Sequence, residues 1–537
     1  MIKNQKHVCK LKSISLRRLP GGGNLTYYIL LFLAIITLVA CNNGSAPPWL
    51  IIIPDDTTYR VEFLPSEQEP YPDGIKFPES ILVVESSTIN EPTGFDAPDG
   101  WTFVGWSSDS SHYTHFDFTL PITQDTKIYA FFVSTNTTPE DESIPKGTNV
   151  EYDATQGGYV ISDDPDSQET FSGELVIPAY INGIPVTEID SSTFMRNTSI
   201  TSVTIPSTVK TVGRSAFNRC SSITSINVDS ESISASAFFG TSSVEKIVIG
   251  PNVKTIGPMA FKCTNSADSV TLDLPEDGTL TTIDTEAFNG VNIVGELVIP
   301  DSVESIRSSA FNNTNITSVK LGSNVKDVSN NAFSNCEQLV SFDYGNSTVT
   351  EIKNSCFLGC SALKEIILPE TITIIRQNAF DGCVALNEID IPSSVTQISS
   401  SAFKGCTGLT SVNISEDGES LVIQGSYGSY DPSVATNGGG AFMDCTSLEE
   451  LTIPARVIEL GTWTFAGCTK LDVVIESTSI ELGDSVFYGW GANEAQTIKF
   501  TSYMDPSEEN PEEWNENWKS NMSNESNVTI SWAGETQ

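Results

Sequence analysis

The sequence predicts a mainly β protein: a curved solenoid of about thirteen turns with a parallel sheet on one face, preceded by a small β module. Three observations carry that prediction. A phenylalanine in an Ala-Phe-like setting recurs at Phe194, Phe217, Phe238, Phe261, Phe288, Phe311, Phe333, Phe357, Phe380, Phe403, Phe442, Phe465 and Phe487. The spacings stay in the twenties apart from one of 39, and a sustained period of that size marks stacked repeats. Between the phenylalanines lie short alternating runs such as LTSVNI, whose Val412 and Ile414 have the spacing of a strand with one face inward.

A single turn shows how the chain must run. In LNEIDIPSSVTQI (386–398), Pro392 lacks an N–H, so it ends the strand and turns the chain. Val395 and Ile398 then bury on the return side, and SSSAF presents Phe403 inward as a spacer between two walls. One turn alone cannot bury its apolar face; the next turn supplies the partner. With strands about 4.8 Å apart, thirteen turns extend on the order of 60 Å.

The N-terminus reads as a targeting segment, residues 1–40. Lys3, Lys6, Lys10, Lys12, Arg17 and Arg18 precede the apolar run YYILLFLAIITLVA (27–40). Fourteen residues are too few for a membrane span of about 20, and the flanks suit a secretory signal. The run ends in LVAC (38–41), which resembles the bacterial lipobox. That resemblance implies cleavage before Cys41 and diacylglyceryl attachment to its thiol, and several acyl chains anchor durably. Residues 41–58 form a polar, proline-containing tether.

Residues 59–133 have a different texture. YRVEF, WTFVGW, FDFTLPIT and TKIYAFF are separated by turn formers. Gly105-Trp106, Phe116-Asp117-Phe118, Pro121-Ile122-Thr123 and Tyr129-Ala130, in that order, resemble the Listeria–Bacteroides repeat, the β-grasp-like internalin B-repeat. Here LPSEQEPYPDG stands where that module carries paired glycines. The resemblance implies a spacer or protein-contact module and no catalytic residue. Residues 134–149 are a polar linker, the solenoid occupies 150–500, and 501–537 form a polar closing cap.

The repeated pattern L-x-x-[IV]-x-[IL]-P-x-x-[VI]-x-x-I-x-x-x-A-F-x-x-C resembles the BspA-type leucine-rich repeats of bacterial surface proteins. ELVIPAYINGIPVTEID (174–190) is similar to that family's first turn. The resemblance implies a non-enzymatic surface protein engaged in adhesion, binding of host or neighbouring-cell proteins, and coaggregation.

Composition limits the chemistry. With 68 acidic and 28 basic residues, the chain repels nucleic acid and anionic head groups. Eight cysteines follow the phenylalanines: Cys220, Cys263, Cys336, Cys360, Cys383, Cys406, Cys445 and Cys468. Such a column places thiols along a line, whereas zinc needs ligands converging on a point. Small-residue packing with a weak S–H bond to backbone fits best; an occasional disulfide, or metal and redox chemistry, is the alternative. Cys356, replacing the alanine before Phe357, could bridge to Cys360 within one turn. His112 and His115 sit in a loop or strand edge of the module without a third ligand nearby. No nucleophile elbow, HExxH or phosphate-binding loop occurs, and the repeats contain no histidine. The chain is expected to be no enzyme and to hold no cofactor or metal.

The outward strand positions remain as the candidate surface. Hydroxyls dominate the early turns, and acids gather at Asp343, Glu365, Glu388 and Asp390, a face suited to a basic partner or a cation, or simply to water. The long spacing inserts residues around 421–440, where Tyr427, Tyr430 and Asp431 are either contact residues or part of a tolerated loop. The sequence therefore predicts an exported lipoprotein at the outer membrane or cell surface. Its partners are proteins of the extracellular matrix or of other cells, and it touches the membrane through its lipid and binds no nucleic acid. A glycan-binding or nutrient-capture lipoprotein is the alternative.

Overall fold

The computed structural model describes residues 57–533 except 68–70, 94, 96, 135–142, 264–268, 426–438, 492–494, 503–514 and 523. The signal segment, Cys41, all but the end of the tether and most of the 421–440 insertion, with Tyr427, Tyr430 and Asp431, lie outside the described residues.

Regular structure among the described residues is strand throughout, apart from a single 3-10 turn at Glu525–Asn527. As predicted, the repeats form a parallel β-solenoid. Each turn gives one strand to an outer ribbon and a shorter, mostly two-residue strand to a return ribbon. Glu388–Ile391 shows the reason: Ile389 and Ile391 are buried while Glu388 and Asp390 face out, the period of two that a pleated strand imposes. Pro392 follows, Val395 buries, and Gln397–Ile398 forms the return strand.

Between the two ribbons runs a column of thirteen phenylalanines from Phe194 to Phe487. Successive rings stack at 4.9 to 6.2 Å with interplanar angles of 1° to 19°. The backbone keeps the same register, since Phe403 N donates to Ala441 O and Phe380 N to Ala402 O. The widest step, Phe333 to Phe357, is where Phe342 enters the core and meets both rings edge-on at 5.2 and 4.8 Å.

Two positions per turn take a left-handed backbone. Two residues before the ring stand Ser215, Ser236, Ser309, Asn331, Asn378 and Ser401, with φ of 55° to 58°; Met259, Glu286 and Trp463 adopt the same conformation. Two residues after the ring stand Gly359, Gly382 and Gly405, or Arg196, Arg219 and Asn313. Each non-glycine residue there costs about 1 kcal/mol, which the ring packing and the Ala-Phe ladder offset.

The slot three residues after the ring explains the cysteines. The thiol of Cys406 lies 3.2 Å from the Phe380 carbonyl of the preceding turn, and Cys220, Cys336, Cys360, Cys383, Cys445 and Cys468 repeat that bond at 3.0 to 3.2 Å. Other donors fill the slot elsewhere. Asn197 donates to the Phe171 carbonyl and the Trp490 indole to the Phe465 carbonyl, both at 2.9 Å. Cys263 stands one residue nearer its ring than the others. All nine described cysteines, Cys356 included, are buried and unbridged.

The solenoid is closed at both ends by strand. The antiparallel pair 148–153 and 158–163 precedes the first return strand, and Gly158–Asp163 runs parallel to Ile184–Ile189. At the other end Gln496–Phe500 pairs with Val528–Ser531, and Trp518 packs edge-on against Phe487 and Phe500.

The chain forms two compact units, and the segment 59–133 contributes to both. Among the described residues, one contains 57–62, Pro78–Thr93 and Asp117–Lys127. In it, Thr58–Val61 pairs antiparallel with Ile81–Val84, and Arg60 N donates to Asp125 Oδ1. The other holds Phe63–Phe77, Gly94–Phe116 and everything from Ile128 on, solenoid included. Within it, Phe63, Phe95, Phe103 and Phe132 cluster with Trp106. Tyr113 N donates to the carbonyl of Gly183 in the tight Asn182-Gly183 turn.

Candidate interaction face

The outer ribbon brings the outward side chains into straight rows. Ser202, Ser225, Lys246 and Thr271 are register partners in successive turns. So are Glu296, Ser318, Ser341 and Glu365, and then Glu388, Ser411, Glu450 and Asp472. Parallel pairing with a constant turn length makes such rows unavoidable, because each turn repeats its inward residues at the same places.

Charge along the rows is uneven. In the early turns Lys246 sits 3.2 Å from Asp273 and neutralises it. Further on, carboxylates crowd together without that compensation. The Asn413 amide donates to Glu388 Oε1 at 3.0 Å and to Asp390 Oδ1 at 2.7 Å, and the Ser411 hydroxyl lies 3.4 Å from Asn413 Oδ1. A neutral amide thus holds two carboxylates side by side and orients them, leaving their charge intact.

Three of the four predicted acids meet in one place. Glu365, Glu388 and Asp390 line a groove of about 650 Å³. Asp343 does not; it lies a turn away, where its Oδ1 accepts the Gly345 N–H at 2.8 Å. A second groove of about 590 Å³ follows on the same face, sharing Asn413 and Ile414 with the first and lined by Glu416, Glu449, Glu450 and Glu476. Glu370, Glu416 and Glu476 were missed as site residues because they stand just past the strand. They lie four, two and one residues beyond their strands, where strand alternation gives no signal. Ile367, an outward position one residue past the strand, lines the first groove and is 85% exposed.

No set of three His, Cys, Asp or Glu side chains among the described residues converges to hold a metal ion. His112 lies 3.0 Å from the Ser111 hydroxyl and packs at a tilt against Tyr180, while His115 faces the Tyr113 hydroxyl at 3.4 Å. Burial pushes the Cys220 thiol up to about 12 and raises Cys383, Cys406 and Cys445 as well, which makes those four poor nucleophiles.

The family model described as the BspA type leucine rich repeat region matches residues 187–293, 267–347, 340–423 and 431–519. No curated protein sequence matches the chain. Among solved structures, a leucine-rich repeat protein from Bacteroides ovatus is 23% identical, with 72% of this chain and 98% of that chain covered and a TM-score of 0.46. A leucine rich cell surface protein from Faecalibacterium prausnitzii is 20% identical over 64% and 95%, with a TM-score of 0.29. The pneumococcal vaccine antigen PcpA is 17% identical over 74% and 99%, with a TM-score of 0.38.

Proposed function

Because the chain belongs to the BspA-type leucine-rich repeat family, we propose that it is a non-enzymatic surface lipoprotein whose outer ribbon binds other proteins, and that adhesion to host or neighbouring-cell proteins is its task. The observation that carries this reading is the register of the outer ribbon. Outward side chains repeat in straight rows over many turns, which offers one large, rigid face. Its acids favour partners with basic surfaces. Export rests on the basic, then apolar, N-terminal segment, and anchoring rests on the LVAC sequence ending at Cys41. The segment 59–133 serves as a spacer or second contact module.

Protease shaving of intact and permeabilised cells tests exposure. Loss of the solenoid from intact cells is expected, and protection until permeabilisation would overturn the surface assignment. Pull-downs against matrix proteins and against cell-surface polysaccharides then separate adhesion from glycan capture, and retention by polysaccharide alone would replace the protein-binding reading. Cys41→Ser should release the chain from membranes and abolish incorporation of labelled fatty acid.

A further inference from the structure

The outer ribbon is interrupted once without even an isolated bridge. The sheet that ends at Glu365–Ile366 and the sheet that begins at Glu388–Ile391 share no ladder among the described residues. The opening is confined to that face. On the return side Glu351–Ile352, Ile374–Ile375 and Gln397–Ile398 pair without a break, and the Phe357, Phe380 and Phe403 rings stack at 5.3 and 5.1 Å. The core is therefore intact behind a gap in the ribbon, and the gap is the 650 Å³ groove.

The groove has an apolar floor and an acidic rim. Ile366, Leu368 and Ile391 form the floor, and Ile367 stands up in the outward column, in the position that Asp343 and Asp390 occupy in neighbouring turns. Glu365, Glu370, Glu388 and Asp390 surround it, and Lys364 is the only basic residue in the lining. An isoleucine exposed among carboxylates gains nothing from water and invites an apolar contact.

We propose that this groove docks an extended, basic segment of a partner protein, a strand in which lysine or arginine alternates with aliphatic residues. The proposal rests on the protein-binding reading above and names its partner class. In that strand alternate side chains point to opposite sides. One set reaches the rim carboxylates, and the other reaches Ile367 and the floor. Charge selects the occupant: with 68 acidic residues against 28 basic ones, a second copy of this chain is repelled, as is nucleic acid.

The test uses the full-length chain and short fluorescent peptides read by anisotropy at low and high salt. An alternating Lys/Val peptide should bind and weaken with salt. An alternating Glu/Val peptide should bind about tenfold more weakly or not at all. The triple variant E365Q/E388Q/D390N and the single variant Ile367→Ser should each lower affinity about tenfold. Asp343→Asn, on the same face outside the groove, should leave it unchanged. Equal binding of the Glu/Val peptide, equal loss in D343N, or no binding of the Lys/Val peptide overturns the proposal. So does concentration-dependent dimerisation through this face in sedimentation. Failure here and failure of the broader reading are distinguishable. If the Ile367→Ser chain still captures surface proteins as well as wild type, the groove is wrong and protein binding stands. If wild type captures none, the broader reading falls with it.

Discussion

The Cys406 thiol donates to the Phe380 carbonyl across 3.2 Å, one turn back along the stack. That carbonyl also accepts the Cys383 N–H within its own turn, so the thiol satisfies a second lone pair of a buried oxygen. The same pairing links Cys383 to Phe357 and Cys445 to Phe403. A buried acceptor deprived of a partner is costly, and a vacated sulfur leaves a cavity. Cys406→Ala should lower stability by about 1–3 kcal/mol in urea unfolding. Burial raises the Cys406 thiol, and all nine thiols from Cys220 to Cys468 are buried, so they should resist maleimide until denaturant is added. Rapid labelling of the native chain would contradict a packing role.

Arg456 is a buried cation held by carbonyls. Its guanidinium donates to Ser415 O at 2.6 Å, Val395 O at 2.8 Å, and Glu419 O and Pro392 O at 3.2 Å, with 8% of the residue exposed. Burial lowers its pKa, with Glu370 opposing. The four bonds tie residues 392–395 to the segment 415–419 that leads into the long insertion. Arg456→Met should cost about 2–4 kcal/mol and expose residues 415–425 to limited proteolysis. An unchanged cleavage pattern would show that the clamp is dispensable.

The fold was legible because its period is short and its inward residues are apolar. Thirteen phenylalanines in register leave little freedom in how the chain stacks. The left-handed positions were not legible: Ser401, Met259, Glu286 and Trp463 adopt one conformation in one slot, so neighbouring turns impose it against residue preference. In the candidate site, the row of acids could be read from alternation alone, and Glu365, Glu388 and Asp390 indeed share one groove. The groove itself could not be read. Ile367 and Asp390 hold equivalent places in the repeat, and the ribbon opens between them through packing across turns. Phe342 alternates with the outward Ser341 and Asp343, but nothing in the spacing says that its ring meets both Phe333 and Phe357.

Arg376 grips Glu351 with two parallel bonds, Nε to Oε2 and Nη2 to Oε1, both 3.0 Å, and Lys353 adds a third at 2.8 Å. Arg376 first, then Lys353, lowers the Glu351 pKa. A lowered carboxyl stabilises the fold above its unfolded pKa of about 4.3. That contribution is lost as pH falls through the lower folded value. Glu351→Gln should therefore weaken the fold at pH 7 by about 1 kcal/mol or less, as half-exposed pairs do. It should leave stability unchanged at the acid end. A loss that persists undiminished at low pH would assign the effect to packing rather than to charge.

Asp444 has the opposite sign. It follows Met443 with φ of 62°, and burial raises its pKa while Lys404 opposes. A carboxyl whose folded pKa lies above its unfolded one binds protons more tightly in the folded state. It therefore adds stability on acidification and opposes folding once pH rises through the raised value. Asn removes the charge and is one of the residues that tolerate the left-handed backbone. Asp444→Asn should thus raise the melting temperature at pH 7 and lose that advantage below the carboxyl range, the reverse of Glu351→Gln. Melting curves from pH 3 to pH 8 on both variants give two differences of opposite slope. A stabilisation by Asp444→Asn that did not change with pH would mean that backbone preference, and not the buried charge, sets the cost of that position.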